Sequence, residues 1–297
     1  MAAESAGWDI VSGVGVTALG AAGMRALEGH QPEPLVRDPY AAAFVAAAAD
    51  QLPSRIPVTP DEAAADPGFP WPGVAQYVAV RSRFFDDFFA AATGAGVRQA
   101  VILAAGLDTR AFRLDWRPGT TLYEVDAPMV LAFKESVLAN VLADKGATAR
   151  CDRRPVAADL RADWPAPVVA AGFNPAEPTA WLAEGLLQYL PDEAMDSLLG
   201  HVHKLSAPGS RIAVDHLPGG TSAIGGALER GVTERAGPEL KAIWVAGQQH
   251  DPASWLLGHG WTANVSLAAS VASAYRRPMT GSPENLRVMQ LITGELG

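Results

Sequence analysis

The chain has 297 residues, 49% of them hydrophobic, and a formal net charge of -9 at pH 7. This length suits one large α/β domain or two small ones, and the apolar fraction is ample for a core. The acidic balance and the lack of a long basic stripe argue against a nucleic-acid partner, and the single Cys151 excludes an internal disulfide and a cysteine-based metal cluster. We therefore expect a cytoplasmic protein without a metal site.

The amino terminus and the long apolar runs predict neither export nor membrane insertion. Residues 1–9 contain an early acid and no basic segment followed by an apolar core, so they do not resemble a signal peptide. Charges or glycine–proline pairs interrupt every long apolar run, and no run approaches the roughly 20 residues that span a bilayer. Secretion and a membrane partner are therefore not expected.

The first part of the chain predicts helices. Tyr77 and Arg81 are four residues apart in an aromatic-rich helical pattern, which places both on one face of the helix. An arginine in this position could extend to the surface or clamp a ligand, and the rarity of buried charge favours the surface. Helices are predicted at residues 10–29, 40–49 and 74–95, and the six prolines of residues 51–73 predict a loop.

From residue 96 onwards, strand patterns alternate with helical patterns. This alternation predicts a mostly parallel, doubly wound sheet. Residues 217–250 contain glycine-interrupted helical patterns without a clear strand, so we expect an insertion over the carboxyl edge of the sheet. The last apolar runs, 261–267 and 286–293, could pair as a hairpin at the sheet edge. Earlier strands are predicted at 100–104, 122–125, 155–159, 179–183 and 210–215, with helices at 128–142, 161–172, 191–207 and 252–259.

Residues 100–126 predict a nucleoside-binding site. They contain a strand, a glycine turn, a second strand and acids, an order that brings backbone close to a ligand and a carboxylate close to ribose hydroxyls. The turn has one glycine, Gly106, where a dinucleotide fingerprint has three, so a pyrophosphate is poorly accommodated. A cofactor with ribose but no phosphate needs less from the turn. S-adenosylmethionine is such a cofactor.

Three acids recur at the ends of predicted strands. Glu124, Asp159 and Glu184 follow the second, third and fourth strands. Because the carboxyl ends of parallel strands lie along one edge of the sheet, these carboxylates could serve the ribose hydroxyls, the adenine amino group and the positive end of the cofactor. Each acid taken alone could equally be an exposed loop residue or a helix cap.

Five segments carry a specific family resemblance: RSRFFDDFF (81–89), VILAAGLDTRAFRL (101–114), YEVD (123–126), ADLRADW (158–164) and WLAEGLLQYL (181–190). In order and spacing they resemble the bacterial S-adenosylmethionine-dependent methyltransferases related to leucine carboxyl methyltransferase, over about residues 10–215. The resemblance implies an α/β class I methyltransferase fold, with a seven-stranded, mostly parallel sheet and an antiparallel final strand. We expect a single domain, with an N-terminal helical cap at 1–97 and a Rossmann-like core at 98–297 that includes a lid insertion at about 217–250.

The resemblance also implies cofactor contacts for individual residues. Arg81 matches the cap-helix arginine that meets the cofactor carboxylate, which replaces the surface expectation for this residue. Gly106 matches the turn under the methionine moiety, and Glu124 matches the acid that binds the ribose.

Further matched positions complete the expected cofactor site. Asp159 and Leu160 match the adenine contacts, and Glu184 matches the acid near the methionine amino group. The neighbouring positions included in this expected site are Ala105, Asp108, Val125 and Gly185.

The expected reaction is methylation of a carboxylate on a small acid or a peptide carboxyl terminus. A carboxylate is already ionised near neutral pH and needs no general base, so alignment and exclusion of water would carry the catalysis. Tyr77, Tyr189 and His216 are candidates to hold the substrate carboxylate. Two alternatives remain: a hydroxyl methyltransferase of secondary metabolism with His216 as the base, or a non-catalytic nucleoside-binding module.

Overall fold

The computed structural model describes residues 14–52, 54–218 and 250–297. Most of the expected insertion at 217–250, and the start of the first predicted helix, lie outside the described residues. Within the described ranges, no helix combines the length and apolarity needed to cross a membrane.

Four α-helices precede the first strand in the part of the chain that the structure describes. They are α1 (Val14–Glu28), α2 (Ala41–Ala48), α3 (Pro60–Ala64) and α4 (Trp71–Gly94). The predicted helices at 40–49 and 74–95 are confirmed as α2 and α4, whereas α3 lies in the segment predicted to be a loop. Thr59 and Glu62 form a capping box around the start of α3, so the sequence contained a helix signal in this segment.

The sheet has seven strands in the order β3-β2-β1-β4-β5-β7-β6. The first five strands run parallel, and β7 pairs antiparallel with both β5 and β6, which confirms the expected class I arrangement and the terminal hairpin. The strands are β1 (Gln99–Leu103), β2 (Thr121–Asp126), β3 (Asp152–Ala157), β4 (Thr179–Ala183), β5 (Arg211–His216), β6 (Asn264–Leu267) and β7 (Gln290–Glu295).

Seven further helices connect these strands in the described residues. They are α5 (Arg110–Arg113), α6 (Pro128–Lys145), α7 (Pro165–Ala170), α8 (Asp192–Lys204), α9 (Pro252–Gly258), α10 (Ala268–Ala274) and α11 (Glu284–Arg287). The predicted helix at 161–172 is shorter in the structure. Both α10 and α11 fall between the last two strands, where no helix was predicted.

The core lies on both faces of the sheet. Every residue of β1 and of β4 is buried, as expected for central strands of a parallel sheet. Side chains of β1 alternate between the two faces: Ile102 packs with the cap helices and the phenylalanines of α4, and Val101 packs with Trp164 and Trp181. The N-terminal helices therefore cover one face of the sheet and leave the other to α7 and α8.

The connection between β6 and β7 is held against α4. The Tyr275 hydroxyl donates to Asp87 Oδ2 at 2.8 Å, and Ser282 Oγ donates to the Gly73 carbonyl at 3.1 Å. A Cβ on Gly73 would lie 2.9 Å from the Ser282 Cα, so only glycine permits this approach. The contact brings Met289, which precedes β7, towards the carboxyl edge of the sheet.

Candidate active site

A cavity of about 650 Å³ lies between the carboxyl edge of the sheet and the N-terminal helices. The turn after β1, the end of β2, the residues after β3 and the residues after β4 form one wall. Helices α1 and α4, together with the segment before β7, form the opposite wall. This volume falls in the range of small-molecule pockets, roughly 300–1,000 Å³.

The turn after β1 is tied to the end of β2 by backbone and side-chain hydrogen bonds. The Gly106 amide donates to Asp126 Oδ2 at 2.6 Å, and the Ala105 amide donates to the Val125 carbonyl at 3.0 Å. Gly106 has a φ of 46°, in the region that favours glycine. Ala105, Gly106 and Asp108 all line the cavity, as the resemblance implied.

Asp126, rather than Glu124, is the acid of β2 that lines the cavity. It is the last residue of the strand, and its Oδ1 accepts a hydrogen bond from the Ala127 amide at 2.6 Å. Burial raises the pKa of the Asp126 carboxyl, although the hydrogen bonds from Gly106 and Ala127 oppose the rise.

Glu124, the expected ribose contact, does not line the cavity. Glu124 lies two residues before the end of β2, and a strand rises about 3.3 Å per residue, so its Cα is roughly 6–7 Å behind the edge. Its fully buried side chain instead pairs with Lys134 Nζ and with Arg153 Nη2, both at 2.7 Å. Val125 is also absent from the cavity lining, because its side chain is packed in the core and only its carbonyl meets the turn.

Arg81 lines the cavity from α4 and is buried, which contradicts the surface interpretation. Its Nε donates to Glu184 Oε1 at 2.9 Å, and its Nη1 donates to Asp215 Oδ2 at 3.0 Å. Burial alone would lower the pKa of Arg81, but the charges of Asp215 and Glu184 raise it. The guanidinium is therefore a permanent cation at the centre of the cavity wall.

Glu184 bridges two arginines immediately after β4. Its Oε1 meets Arg81, and its Oε2 lies 2.8 Å from Arg110 Nη1. Burial would raise the pKa of Glu184, but the charges of Arg110 and Arg81 lower it below its ordinary value. Arg110 also pairs with Asp86 on α4 at 2.7 Å and with Asp108 in the turn. The sheet edge and the cap are thus joined by a continuous ionic network.

Besides Asp126, Asp215 and Arg110 are the principal site residues that the sequence analysis did not assign. Asp215 is fully buried near the end of β5 and accepts hydrogen bonds from the Gly185 amide at 2.6 Å and the Tyr77 hydroxyl at 3.2 Å. Its position was discernible, because the predicted strand at 210–215 ends in this acid. The sequence placed Arg110 in the turn after β1, but it did not indicate the ion pairs with Asp86, Asp108 and Glu184.

Gly185 is required by the geometry around Arg81. It has a φ of 66°, and a Cβ there would lie 3.3 Å from Arg81 Nη1. Tyr77 lines the cavity beside it, and burial together with the charge of Asp215 raises the pKa of the phenol well above its ordinary value. Tyr77 is therefore neutral, and its hydroxyl donates a hydrogen bond to Asp215 Oδ2.

The residues expected at the adenine end line the cavity. Strand β3 ends at Ala157, two residues earlier than predicted, so Asp159 and Leu160 lie in the following turn rather than in the strand. The side chain of Asp159 is 44% exposed and pairs with Arg161 at 2.6 Å.

Of the three candidates for substrate contact, Tyr77 and Tyr189 line the cavity, but His216 does not. His216 is a buried residue of β5, adjacent to Asp215 and therefore on the opposite face of the strand, where it is in register with Gln290 of β7. The expectation that it contacts substrate or acts as base is contradicted by this placement. All six histidines lie in the described ranges, and none of them lines the cavity.

Solved structures identify the class of this fold. A DUF574 family protein from Streptomyces avermitilis superposes with a TM-score of 0.55 at 15% identity, covering 93% of this chain and 97% of that one. A Thermobifida fusca protein assigned as a methyltransferase gives a TM-score of 0.51 at 18% identity, covering 93% and 94%. The seven-stranded sheet is the class I fold of S-adenosylmethionine-dependent methyltransferases.

Sequence comparisons define the family. The family model described as leucine carboxyl methyltransferase matches residues 18–203, more than half of the chain. A Rhodococcus jostii protein assigned to the S-adenosyl-L-methionine-dependent methyltransferases is 48% identical over 290 residues, covering 96% of this chain and 95% of that protein. A similarly assigned Saccharopolyspora erythraea protein is 47% identical over 279 residues, covering 94% of each. The chain belongs to the leucine carboxyl methyltransferase family and is an S-adenosylmethionine-dependent methyltransferase.

Proposed function

We propose that this methyltransferase transfers the methyl group to a carboxylate oxygen of a small acid or a peptide carboxyl terminus. The observation that carries the proposal is that none of the six histidines lines the cavity. An alcohol or phenol must lose a proton during methylation and is served by a general base with a pKa near neutrality. A carboxylate is already ionised and requires none.

Two acidic residues of the cavity, Glu184 and Asp108, support the same acceptor, whereas Asp126 is held by two backbone amides. The charges of Arg110 and Arg81 lower the pKa of Glu184 against the effect of burial. Burial also opposes ionisation of Asp108, yet the charges of Arg110 and Lys134 lower its pKa to about 2. Carboxylates held so firmly as anions are weak bases and poor candidates to take a proton from an acceptor hydroxyl.

The chemistry of the cavity suits the cofactor without any change in the described residues. We assign the ribose hydroxyls to Asp126, because its carboxylate is anchored by two backbone amides at the sheet edge. We assign the methionine carboxylate to the Arg81 guanidinium and the methionine amino group to Glu184. Ala105, Gly106 and Gly185 line the cavity beside these groups, and the adenine end is assigned to Asp159 and Leu160.

When bound, S-adenosylmethionine supplies an electrophilic methyl on a sulfonium, so that an acceptor oxygen forms a C–O bond as the C–S bond breaks. The protein's part is alignment and exclusion of water. Because the reaction joins an anion to a cation and neutralises both, a low-dielectric cavity favours it. Tyr189 lines the cavity and can orient the acceptor carboxylate, whereas Tyr77 is bonded to Asp215 and positions Arg81.

A product analysis tests the proposal. The protein is incubated with methyl-labelled S-adenosylmethionine and matched acceptors, each acid paired with the alcohol of the same carbon skeleton, and products are identified by mass spectrometry. We expect labelled methyl esters that mild base hydrolyses. A base-stable methyl ether would refute carboxyl methylation, and cofactor binding without any methylated product would favour a non-catalytic module. The cytoplasmic location expected from the single cysteine remains part of the proposal.

A further inference from the structure

Apolar side chains form a large part of the cavity wall opposite the sheet edge, beside polar residues such as Thr17, Tyr77 and Asn285. Helix α1 contributes Met24, the start of α4 contributes Trp71, Val74 and Val78, and the segment before β7 contributes Leu286. Phe69 packs beside Trp71, with ring centroids 4.2 Å apart. These side chains come from three separate parts of the chain and line the same cavity as the predicted cofactor site.

The arginines that line the cavity are each paired with a carboxylate in the described part of the chain. Arg25 pairs with Asp38 at 2.8 Å, Arg113 with Asp86 at 2.5 Å, and Arg161 with Asp159 at 2.6 Å. Arg81 and Arg110 belong to the network described above, and no lysine among the residues that the structure describes lines the cavity. Within these ranges, the wall therefore offers no unpaired cation for a second charged group of an acceptor.

This environment discriminates between the two acceptors of the proposed function. A peptide would place several amide groups against the apolar wall, and an amide buried without a hydrogen-bond partner is strongly disfavoured. A hydrocarbon body would instead remove its own surface and that of the wall from water. The single reacting carboxylate needs only the positive sulfonium that faces it.

We propose that the methyl acceptor is a monocarboxylic acid with an apolar body, rather than a peptide carboxyl terminus. The inference rests on the proposed carboxyl methylation and narrows its substrate class. The acceptor body lies against the wall formed by α1, the start of α4 and the segment before β7. Its carboxylate points to the sheet edge, where methyl transfer takes place.

A chain-length series gives the direct test. Binding of straight-chain carboxylates from butanoate to decanoate is measured by calorimetry on the full chain saturated with sinefungin, a cofactor analogue that carries a protonated amine at the place of the methyl sulfonium and cannot transfer a methyl group. A buried CH₂ contributes about 0.8 kcal/mol, so affinity should rise about fourfold per added CH₂ until the cavity is filled. Affinity that does not change with chain length, or tighter binding of a leucine-terminated peptide than of decanoate, would overturn the proposal.

Substitutions in the apolar wall test whether the acceptor body lies against it. Leu286→Gln and, on a different wall element, Val74→Gln should each weaken decanoate binding at least tenfold and flatten the chain-length series, with cofactor affinity unchanged. Val288→Gln is the control, because Val288 is 40% exposed, lies two residues from Leu286 and does not line the cavity. Equal losses in Val288→Gln and Leu286→Gln, or no loss in both wall variants, would place the acceptor elsewhere.

The two proposals fail in different ways. If the series shows the expected binding but no acid is methylated in the presence of S-adenosylmethionine, carboxyl methylation is refuted while the apolar acceptor site stands. If methyl esters form on leucine-terminated peptides and not on apolar acids, carboxyl methylation stands and the apolar acceptor is refuted.

Discussion

The family resemblance placed the ribose contact at Glu124, whereas we assign it to Asp126. Two isosteric substitutions, Asp126→Asn and Glu124→Gln, test this assignment. Each replaces a carboxylate of β2 with an amide of the same shape. Asp126 lines the cavity, whereas Glu124 is fully buried in an ion pair with Lys134, whose side chain is also fully buried. The first substitution should therefore affect cofactor binding, and the second should affect stability.

The expected magnitudes follow from these contacts. A hydrogen bond to a charged group contributes about 1.5–3 kcal/mol, so loss of the anionic ribose acceptor in Asp126→Asn should cost about 3 kcal/mol, roughly a hundredfold in Kd. Removing one partner of a buried ion pair costs about 3–5 kcal/mol, so Glu124→Gln should lower Tm by roughly 10 °C. Its cofactor Kd should stay within about threefold of the unmodified protein, because Glu124 does not reach the cavity.

Calorimetry with S-adenosylhomocysteine and thermal melts by circular dichroism measure both quantities on the same samples. Burial raises the pKa of Asp126, so cofactor binding should weaken on acidification at a higher pH than an ordinary aspartate would give, and Asp126→Asn should remove that dependence. A folded Glu124→Gln protein that has lost cofactor binding, beside an Asp126→Asn protein that binds normally, would refute the reasoning.

Three further predictions concern the ionic network and His216, which does not line the cavity. Arg81→Lys keeps the charge but cannot pair with Glu184 and Asp215 in the same geometry, so calorimetry should show about tenfold weaker cofactor binding and thermal melts a lower Tm. Gly185→Ala should lower Tm and cofactor affinity, whereas Gly146→Ala, with a similar φ of 58° but open space around its Cβ, should lower Tm alone. His216→Asn should leave kcat and its pH profile unchanged, and disappearance of the fall in kcat at acidic pH would restore His216 as a base.

The acid stability of the fold follows from Asp108. Burial would raise the pKa of this carboxyl, but Arg110 and Lys134 lower it from 3.8 to about 2. A depressed pKa contributes stability that is complete above the unfolded value and is lost as the pH falls through the folded value. Thermal melts should therefore show Tm falling between about pH 4 and pH 2, and Asp108→Asn should reduce that fall.

The bounds of a strand were predicted correctly where all of its residues are buried, and incorrectly where charged residues interrupt the apolar pattern. β4 was predicted with its observed bounds because all of its residues are buried and apolar in character. β3 begins at Asp152, three residues before the prediction, because its first residues are charged. Arg153 and Arg154 remain compatible with a strand at the sheet edge only because they pair with Glu124 and Asp152.

Local sequence motifs likewise predicted some of the site residues and missed others. Gly106 and Glu184 belong to local motifs beside strand ends, so sequence spacing places them at the cavity. Asp215 joins the network through Tyr77 and Arg81, which lie 138 and 134 residues away in the chain. No local pattern carries such pairings, because they depend on how the cap helix is seated on the sheet.

The sequence by itself determined the parallel sheet, the ligand-binding edge and the cofactor class, because hydrophobic runs and turn motifs act over a few residues. The tertiary structure decided which carboxylate reaches the cavity. Glu124 and Asp126 are two residues apart with the same chemistry, yet Lys134 and Arg153 neutralise the first behind the edge and backbone amides hold the second at it. The distance of a residue from the end of its strand, together with its partners from distant elements, therefore decides whether a carboxylate of β2 forms a buried ion pair or lines the binding cavity.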